Sequence, residues 1–267
     1  MKMRHLSLGS LMLAASAFSM AACSSSSPGK TGTGGSTGTG GSGMSADLLL
    51  SDFEDPAAAT IVQAGTPPRN GYWYSYNDMS ATCVQTPANA AAYVGSAPPT
   101  PSPGGGGMAL HAVWTGCSTW GAGVGADLNQ PIVDGGMYSG PKVPYDLTGY
   151  TGLTFYAMSS TTADNKLRVK VPMTDETKIA DGGNCDETVV GTNKCSDDWG
   201  YVFSLPTNGS WTQITVTFSD TTKFKQEGWG AVFPWTPAHV TSLQLQSQGS
   251  ETSQSYDFWV DDVYLTK

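Results

Sequence analysis

Two groups of side chains in this sequence have types and spacings suited to chemistry. The first is a set of carboxylates. The last apolar stretch, Tyr256-Asp257-Phe258-Trp259-Val260-Asp261-Asp262-Val263-Tyr264-Leu265, is rich in β-branched and aromatic residues and reads as a strand. Alternation sets Trp259, Asp261, Val263 and Leu265 on one face and Phe258, Val260, Asp262 and Tyr264 on the other. A carboxylate on an apolar face is costly unless it is paired or bound to a metal, so Asp261 needs a partner. A second acidic segment, Ser51-Asp52-Phe53-Glu54-Asp55, opens the folded part of the chain. With the first and last strands side by side, Glu54 and Asp261 can share one hard cation. The second group is aromatic: Tyr72, Trp73, Tyr74 and Tyr76 fall within five residues. Tyr72, Tyr74 and Tyr76 share one face of a strand and Trp73 takes the other. One face must be core; the other can be a platform for sugar rings, stacking on aromatic faces and bonding hydroxyls to phenol tips. The plainer reading, in which most of these rings are structural, stays open.

The elements that would carry these groups are strands. Met108 to Trp114 alternates, with His111 and Val113 opposite the apolar side, where His111 reads as a surface or hydrogen-bonded residue. Trp120 to Leu128 mixes glycines with apolar residues but lacks the ending of a phosphate loop, and close strand packing or a nearby ligand explains such glycines. Leu153 to Met158 is a further strand. In Leu167 to Val171 the apolar residues face in, and Arg168 and Lys170 read as solvated edge charges rather than groove lining. Val240 to Ser247 alternates and sets Gln244 and Gln246 on one face, where amides suit a hydroxyl-rich ligand or simply meet solvent. Asn208-Gly209, between the strands 199–205 and 211–218, is a hairpin signal. Residues 86–107 and the acidic stretch 181–199 read as loops, and 224–235 as a loop with exposed rings.

The first 44 residues are an address. Residues 1–22 have a basic start at Lys2 and Arg4, an apolar run, and a small-residue ending before Cys23; they read as a signal peptide. The ending resembles a bacterial lipobox, which implies cleavage before Cys23, a lipid on its thiol and, with Ser24 following, display at the outer membrane or cell surface. The Ser-, Gly- and Thr-rich segment to residue 44 cannot bury enough to order itself and serves as a tether. Residues 45–267 then form one domain. The formal charge is −9, from 13 basic and 22 acidic residues, and −11 without Lys2 and Arg4. This argues against nucleic acid or anionic polysaccharide as the main partner and permits neutral glycans and cations. The four cysteines after Cys23 point to disulfides in an exported chain. Three connectivities exist; the short loop favours Cys185 with Cys195, which leaves Cys83 with Cys117. Neither pair has the spacing of a zinc site.

Several segments occur in a familiar order: Asp52-Phe53-Glu54-Asp55, Gly71-Tyr72-Trp73-Tyr74 with Asn77-Asp78, Tyr145-Asp146-Leu147-Thr148-Gly149-Tyr150-Thr151-Gly152-Leu153-Thr154-Phe155, Trp211 before a strand, and Asp257-Phe258-Trp259-Val260-Asp261-Asp262-Val263. Over roughly residues 48–266 the chain resembles the β-jelly-roll carbohydrate-binding modules of the galactose-binding-like superfamily, nearest family 11. The resemblance implies an all-β sandwich and a structural calcium on Glu54 and Asp261, with Asp52 beside them. It also implies a sugar face that maps onto Tyr72, Trp73, Tyr74 and Tyr76, and a neutral polysaccharide of the β-glucan or hemicellulose class as ligand. Two other readings stand beside this one. A structural or protein-binding surface lipoprotein needs no sugar site. A glycoside hydrolase or lyase needs paired carboxylates, and the sequence carries neither a Glu-x-Asp-x-x-Glu strand nor a Gly-x-Ser-x-Gly elbow; the chain is therefore expected not to be an enzyme.

Overall fold

The strand-rich pattern folds into two antiparallel sheets in a computed structural model. The structure describes residue 45 and residues 48–55, 60–88, 95–130, 141–190, 194–207, 209–248 and 254–267. The signal peptide 1–22, Cys23 and the tether to residue 44 lie outside these residues. The strands are β1 (Leu49–Ser51), β2 (Trp73–Asn77), β3 (Val84–Thr86), β4 (Leu110–Thr115), β5 (Ala122–Asp127), β6 (Gly152–Ser159), β7 (Lys166–Lys170), β8 (Gly200–Ser204), β9 (Thr212–Thr217), β10 (Ser242–Ser247) and β11 (Tyr256–Thr266). One sheet has the order β3-β4-β11-β6-β9, with β1 also paired to β11; the other has the order β2-β5-β10-β7-β8. From β4 to β7 and from β8 to β11 each successive strand changes sheet. The result is the β-sandwich that the pattern of short alternating strands predicts, with the jelly-roll arrangement that the resemblance implies.

The core lies between the sheets. Trp73, Val124, Leu167, Val169, Phe203, Leu243 and Leu245 reach in from one side, and Leu110, Trp114, Phe155, Val216, Phe258 and Val260 from the other. Trp114 packs on Tyr256 and Phe258 at ring separations of 5.2 and 5.1 Å. Both expected disulfides are present, Cys83–Cys117 and Cys185–Cys195.

The structure departs from the alternation pattern in three places. The first is in β11. Phe258 and Val260 point into the core, and so do Val263 and Leu265, because the register slips between Asp261 and Tyr264 and Asp262 has φ 51°. This bulge inserts an extra residue and reverses the faces. Trp259 and Asp261 therefore share the outer face without Val263 and Leu265; Trp259 packs there on Ala109, Met158 and Trp211 and under the ring of His111 at 3.8 Å. The second is the expected hairpin: β8 pairs β7 while β9 pairs β6, so the segment between β8 and β9 crosses from one sheet to the other. The third is Arg168. Its strand β7 lies between β10 and β8, and its guanidinium is buried, donating to the carbonyls of Asp198 and Lys225 at 2.8 and 2.7 Å. It is not a solvated edge charge.

Candidate functional site

The outer face of the five-stranded sheet forms the floor of a cleft of about 810 Å³. Side-chain alternation along β2 delivers Tyr74 and Tyr76 to it, and β10 delivers Gln244 and Gln246. Between them runs β5, where glycine is required: a Cβ on Gly123 would lie 2.5 Å from the Tyr76 ring, and one on Gly125 would lie 2.9 Å from Gln244. The two phenol rings thus lie over bare backbone. Their hydroxyls join the amides in one row. Tyr76 donates to Gln244 Oε1 at 3.0 Å, and Gln244 Nε2 donates to the Tyr74 hydroxyl at 3.1 Å. Tyr74 reaches Asp127 at 3.4 Å. At the other end Lys170 Nζ donates to Gln246 Oε1 at 3.2 Å. Burial, then the Asp127 charge, pushes the Tyr74 phenol well above its ordinary range. Burial, then Asp198, does the same to Tyr76. Both stay protonated as donors at physiological pH.

Two tryptophans flank the floor, 41% and 49% exposed: Trp120 and Trp229. Trp120 stacks on Tyr76 with centroids 6.0 Å apart and planes 29° from parallel. Its loop is organised by Asp78, whose carboxylate accepts from the amides of Thr119, Trp120 and Gly121 at 2.7, 3.2 and 3.1 Å. Burial pushes the Asp78 carboxyl up, but the hydrogen bonds from Ser80, Thr119 and Gly121 outweigh it and hold the group below its ordinary value. Asp197 organises the Trp229 loop, accepting from the amides of Glu227, Gly228 and Gly230 at 2.9, 2.7 and 3.1 Å. Each rim is thus a short loop wound round one carboxylate.

The sequence-predicted aromatics are split by the fold. Tyr74 and Tyr76 line the cleft. Trp73, expected among the sugar-facing rings, is a core residue, 1% exposed, whose indole donates to Ser51 Oγ at 2.8 Å. Tyr72 shares the Tyr74 face but lies just ahead of β2 and is buried, and burial with the Asp127 charge raises its phenol to about 12. Neither reaches the cleft surface. Trp120 and Lys142 were not singled out from sequence because they sit on loops, where no periodicity marks a face; Trp229 falls in 224–235, the stretch read as a loop with exposed rings.

No family model matches the sequence, and a search of curated proteins finds no relative. Solved structures do show a likeness. The chain is similar to the family 11 carbohydrate-binding module of Clostridium thermocellum in complex with a β-1,3-1,4-mixed-linked tetrasaccharide, at 16% identity over 82% of this chain and 94% of that one, with a TM-score of 0.44. It is also similar to a carbohydrate-binding module of the β-sandwich superfamily (14% identity, 81% and 60% of the chains, TM-score 0.38). A third similar structure is an exo-β-agarase, matched over 82% of this chain and 24% of that one at 12% identity, TM-score 0.45. The likeness is one of fold.

A second cluster lies in the other sheet of this jelly roll, where the first strand meets the last. β1 runs antiparallel to β11, Leu49 facing Tyr264 and Ser51 facing Val263, so the first and last strands do lie side by side. Asp52 and Glu54 follow β1 directly, and Asp261 and Asp262 form the bulge of β11. Burial, then Asp262, with Glu54 adding to it, raises the Asp261 carboxyl to about 8; burial, then Asp52 and Glu54, raises Asp262. Among the described residues none of the four has an ion-pair partner. The glycine run 104–107 closes over them: a Cβ on Gly104 would fall 1.5 Å from Asp262 and one on Gly106 would fall 1.8 Å from Glu54. Glu54 accepts from the amides of Gly107 and Met108, both at 3.1 Å. Oxygen donors without a counter-charge fit a hard cation by their chemistry. No three of these carboxylates come within 4.8 Å of one another; among the described residues only Asp78, Cys83 and Cys117 do so, and those cysteines are joined in a disulfide. Asp262 was missed from sequence because plain alternation separates it from Asp261.

Proposed function

We propose that this domain binds a polysaccharide without cleaving it, along the cleft of the five-stranded sheet. The observation that supports this most is the floor: phenols and amides hydrogen-bonded in one row, Tyr74-Gln244-Tyr76 with Gln246 beside them, and two exposed tryptophans next to the row. Such a surface offers aromatic faces to pyranose C–H groups and fixed donors and acceptors to hydroxyls. The backbone it suits is neutral, of the β-glucan or hemicellulose class. The carboxylates at the two ends of the floor are tied to lysines, Asp127 to Lys142 and Asp198 to Lys170, which does not suit the acid and base of a glycosidase. A structural or protein-binding role without sugar affinity has no comparable observation in its favour.

Two further parts complete the proposal. A lipid on Cys23 and the tether to residue 44 hold the domain at the outer membrane or cell surface, so that many weak contacts act together; the membrane is touched only through the lipid. A structural calcium ion is held by Glu54, Asp261 and Asp262, with Asp52 adjoining, and takes its remaining ligands from backbone or water oxygens. Its chemistry there is neutralisation of the buried carboxylates that join the first strand to the last.

The test is affinity electrophoresis of the full chain through gels cast with β-glucan, xylan, mannan or xyloglucan, with albumin as control. Retardation in one gel is expected, and Tyr76→Ala or Trp120→Ala should abolish it. Unretarded migration in every gel would overturn the proposal.

A further inference from the structure

The charge of the cleft differs from that of the chain around it. Lys142, Lys170, Lys178 and Lys194 line it, four of the 13 basic residues of a chain with formal charge −9. Lys178 pairs at the rim with Glu187 at 3.2 Å, and Asp181 lies on the same wall. The other three lysines are placed differently. Lys142 Nζ meets Asp127 at 2.7 Å and Lys170 Nζ meets Asp198 at 2.6 Å. In both pairs the carboxylate is the buried partner: the Asp127 and Asp198 side chains are 2% and 4% exposed, against 22% and 14% for their lysines. The ammonium groups, with three N–H donors each, are therefore what a ligand meets. Lys194 has no carboxylate within ion-pair distance among the described residues. Repulsion from acidic groups elsewhere on the surface is screened beyond about 8 Å at physiological salt, so contacts inside the cleft decide which ligand stays.

We propose that Lys194, which lines the cleft without a carboxylate of its own, forms a subsite for a sugar carboxylate, with Lys142 and Lys170 offering further ammonium groups at the two ends of the floor, so that the ligand is a neutral-backbone glycan carrying uronic-acid substituents. The inference rests on the polysaccharide-binding reading and narrows it. The pyranose backbone lies on Tyr74 and Tyr76, the carboxylate of one substituent meets the Lys194 ammonium, and those of others can take the N–H donors that Asp127 leaves on Lys142 or that Asp198 and Gln246 leave on Lys170. A neutral sugar offers those donors only uncharged hydroxyl acceptors, which hold an ammonium less strongly than a carboxylate does. The total charge argues against acidic polymers; the local arrangement outweighs it because charge-assisted hydrogen bonds act at contact.

The experiment compares matched polymers. The full chain is run through gels cast with glucuronoxylan, with the same glucuronoxylan after its carboxyl groups have been reduced to alcohols, and with mixed-linkage β-glucan. Each is run at about 50 and about 300 mM sodium chloride, between which the screening length falls from about 14 to about 6 Å. The expected result is roughly two- to fivefold tighter retention on the acidic polymer, a difference that shrinks at the higher salt. Lys194→Gln should reduce retention on glucuronoxylan toward that on its reduced counterpart, and Lys194→Arg should restore it. Albumin, also acidic, controls for non-specific repulsion. Equal retention on the acidic and reduced polymers, or an unchanged preference in Lys194→Gln, would overturn the subsite. Retention by β-glucan without any preference between the two xylans would overturn the subsite and leave the polysaccharide reading standing. Retention in no gel would overturn both.

Discussion

Glu176 sits behind the cleft with its side chain fully buried. Its Oε2 accepts a long hydrogen bond from the amide of Met173 at 3.4 Å, and its Oε1 has no hydrogen-bond partner. Burial, then the nearby Asp198 charge, raises its carboxyl from 4.5 to about 9. Between those values the folded chain keeps a proton that the unfolded chain releases. Stability from this group is therefore greatest below the unfolded value and is lost as pH rises toward about 9. Glu176→Gln keeps the shape and cannot ionise. We expect it to melt well above the parent near pH 8 and close to it near pH 5, by thermal denaturation in matched buffers; equal shifts at both pH values would contradict the assignment. At the same scale, Trp73→Ala should cost about 3–5 kcal/mol, as large-to-small changes in a packed core do, because the ring fills the core rather than the cleft. Denaturant titration will show it as a fall in midpoint.

Strand β5 contributes almost nothing to the cleft except room. A methyl on Gly123 would meet the Tyr76 ring at 2.5 Å and the Leu245 carbonyl at 2.7 Å. Gly123→Ala should displace the phenol, remove polysaccharide retention and cost about 1–3 kcal/mol in stability, typical of overpacking. Gel retardation and a melting curve on the same sample separate the two effects. Strands also set how much of this molecule is legible in its sequence. Alternation correctly pairs Leu110, Ala112 and Trp114 on one face of β4 and Gln244 with Gln246 on one face of β10. It cannot say which face of β2 meets the core, because Tyr72, Trp73 and Tyr74 are all large and apolar enough for either role. It also fails across the β11 bulge, where one residue at positive φ reverses the faces and brings Asp262 beside Asp261. The tryptophans on the cleft rim obey no period at all; their loops are placed by amide hydrogen bonds to Asp78, 42 residues from Trp120, and to Asp197, 31 residues from Gly228.

For the whole molecule, the proposed calcium ion and lipid make separable predictions. A metal bound only by the folded state stabilises by mass action, about 2.7 kcal/mol at a hundredfold excess over its dissociation constant. EGTA should lower the melting temperature of the native chain and leave Asp261→Asn unmoved; a native chain insensitive to EGTA would remove the ion from the proposal. Cys23→Ser should shift the protein from the membrane fraction to the soluble fraction, with its polysaccharide retention intact. The position of β11 has a further consequence, in time rather than in space. This strand is the centre of its sheet, flanked by β4, β6 and β1, yet it is the last strand of the domain in chain order. Until it emerges, three other strands lack the neighbour that holds them, and pairings this distant in sequence form slowly in any case. The export proposed above requires a chain that stays unfolded until it is through the translocation channel. With its keystone strand last in order, the domain delays its own closure until its other strands are available to close.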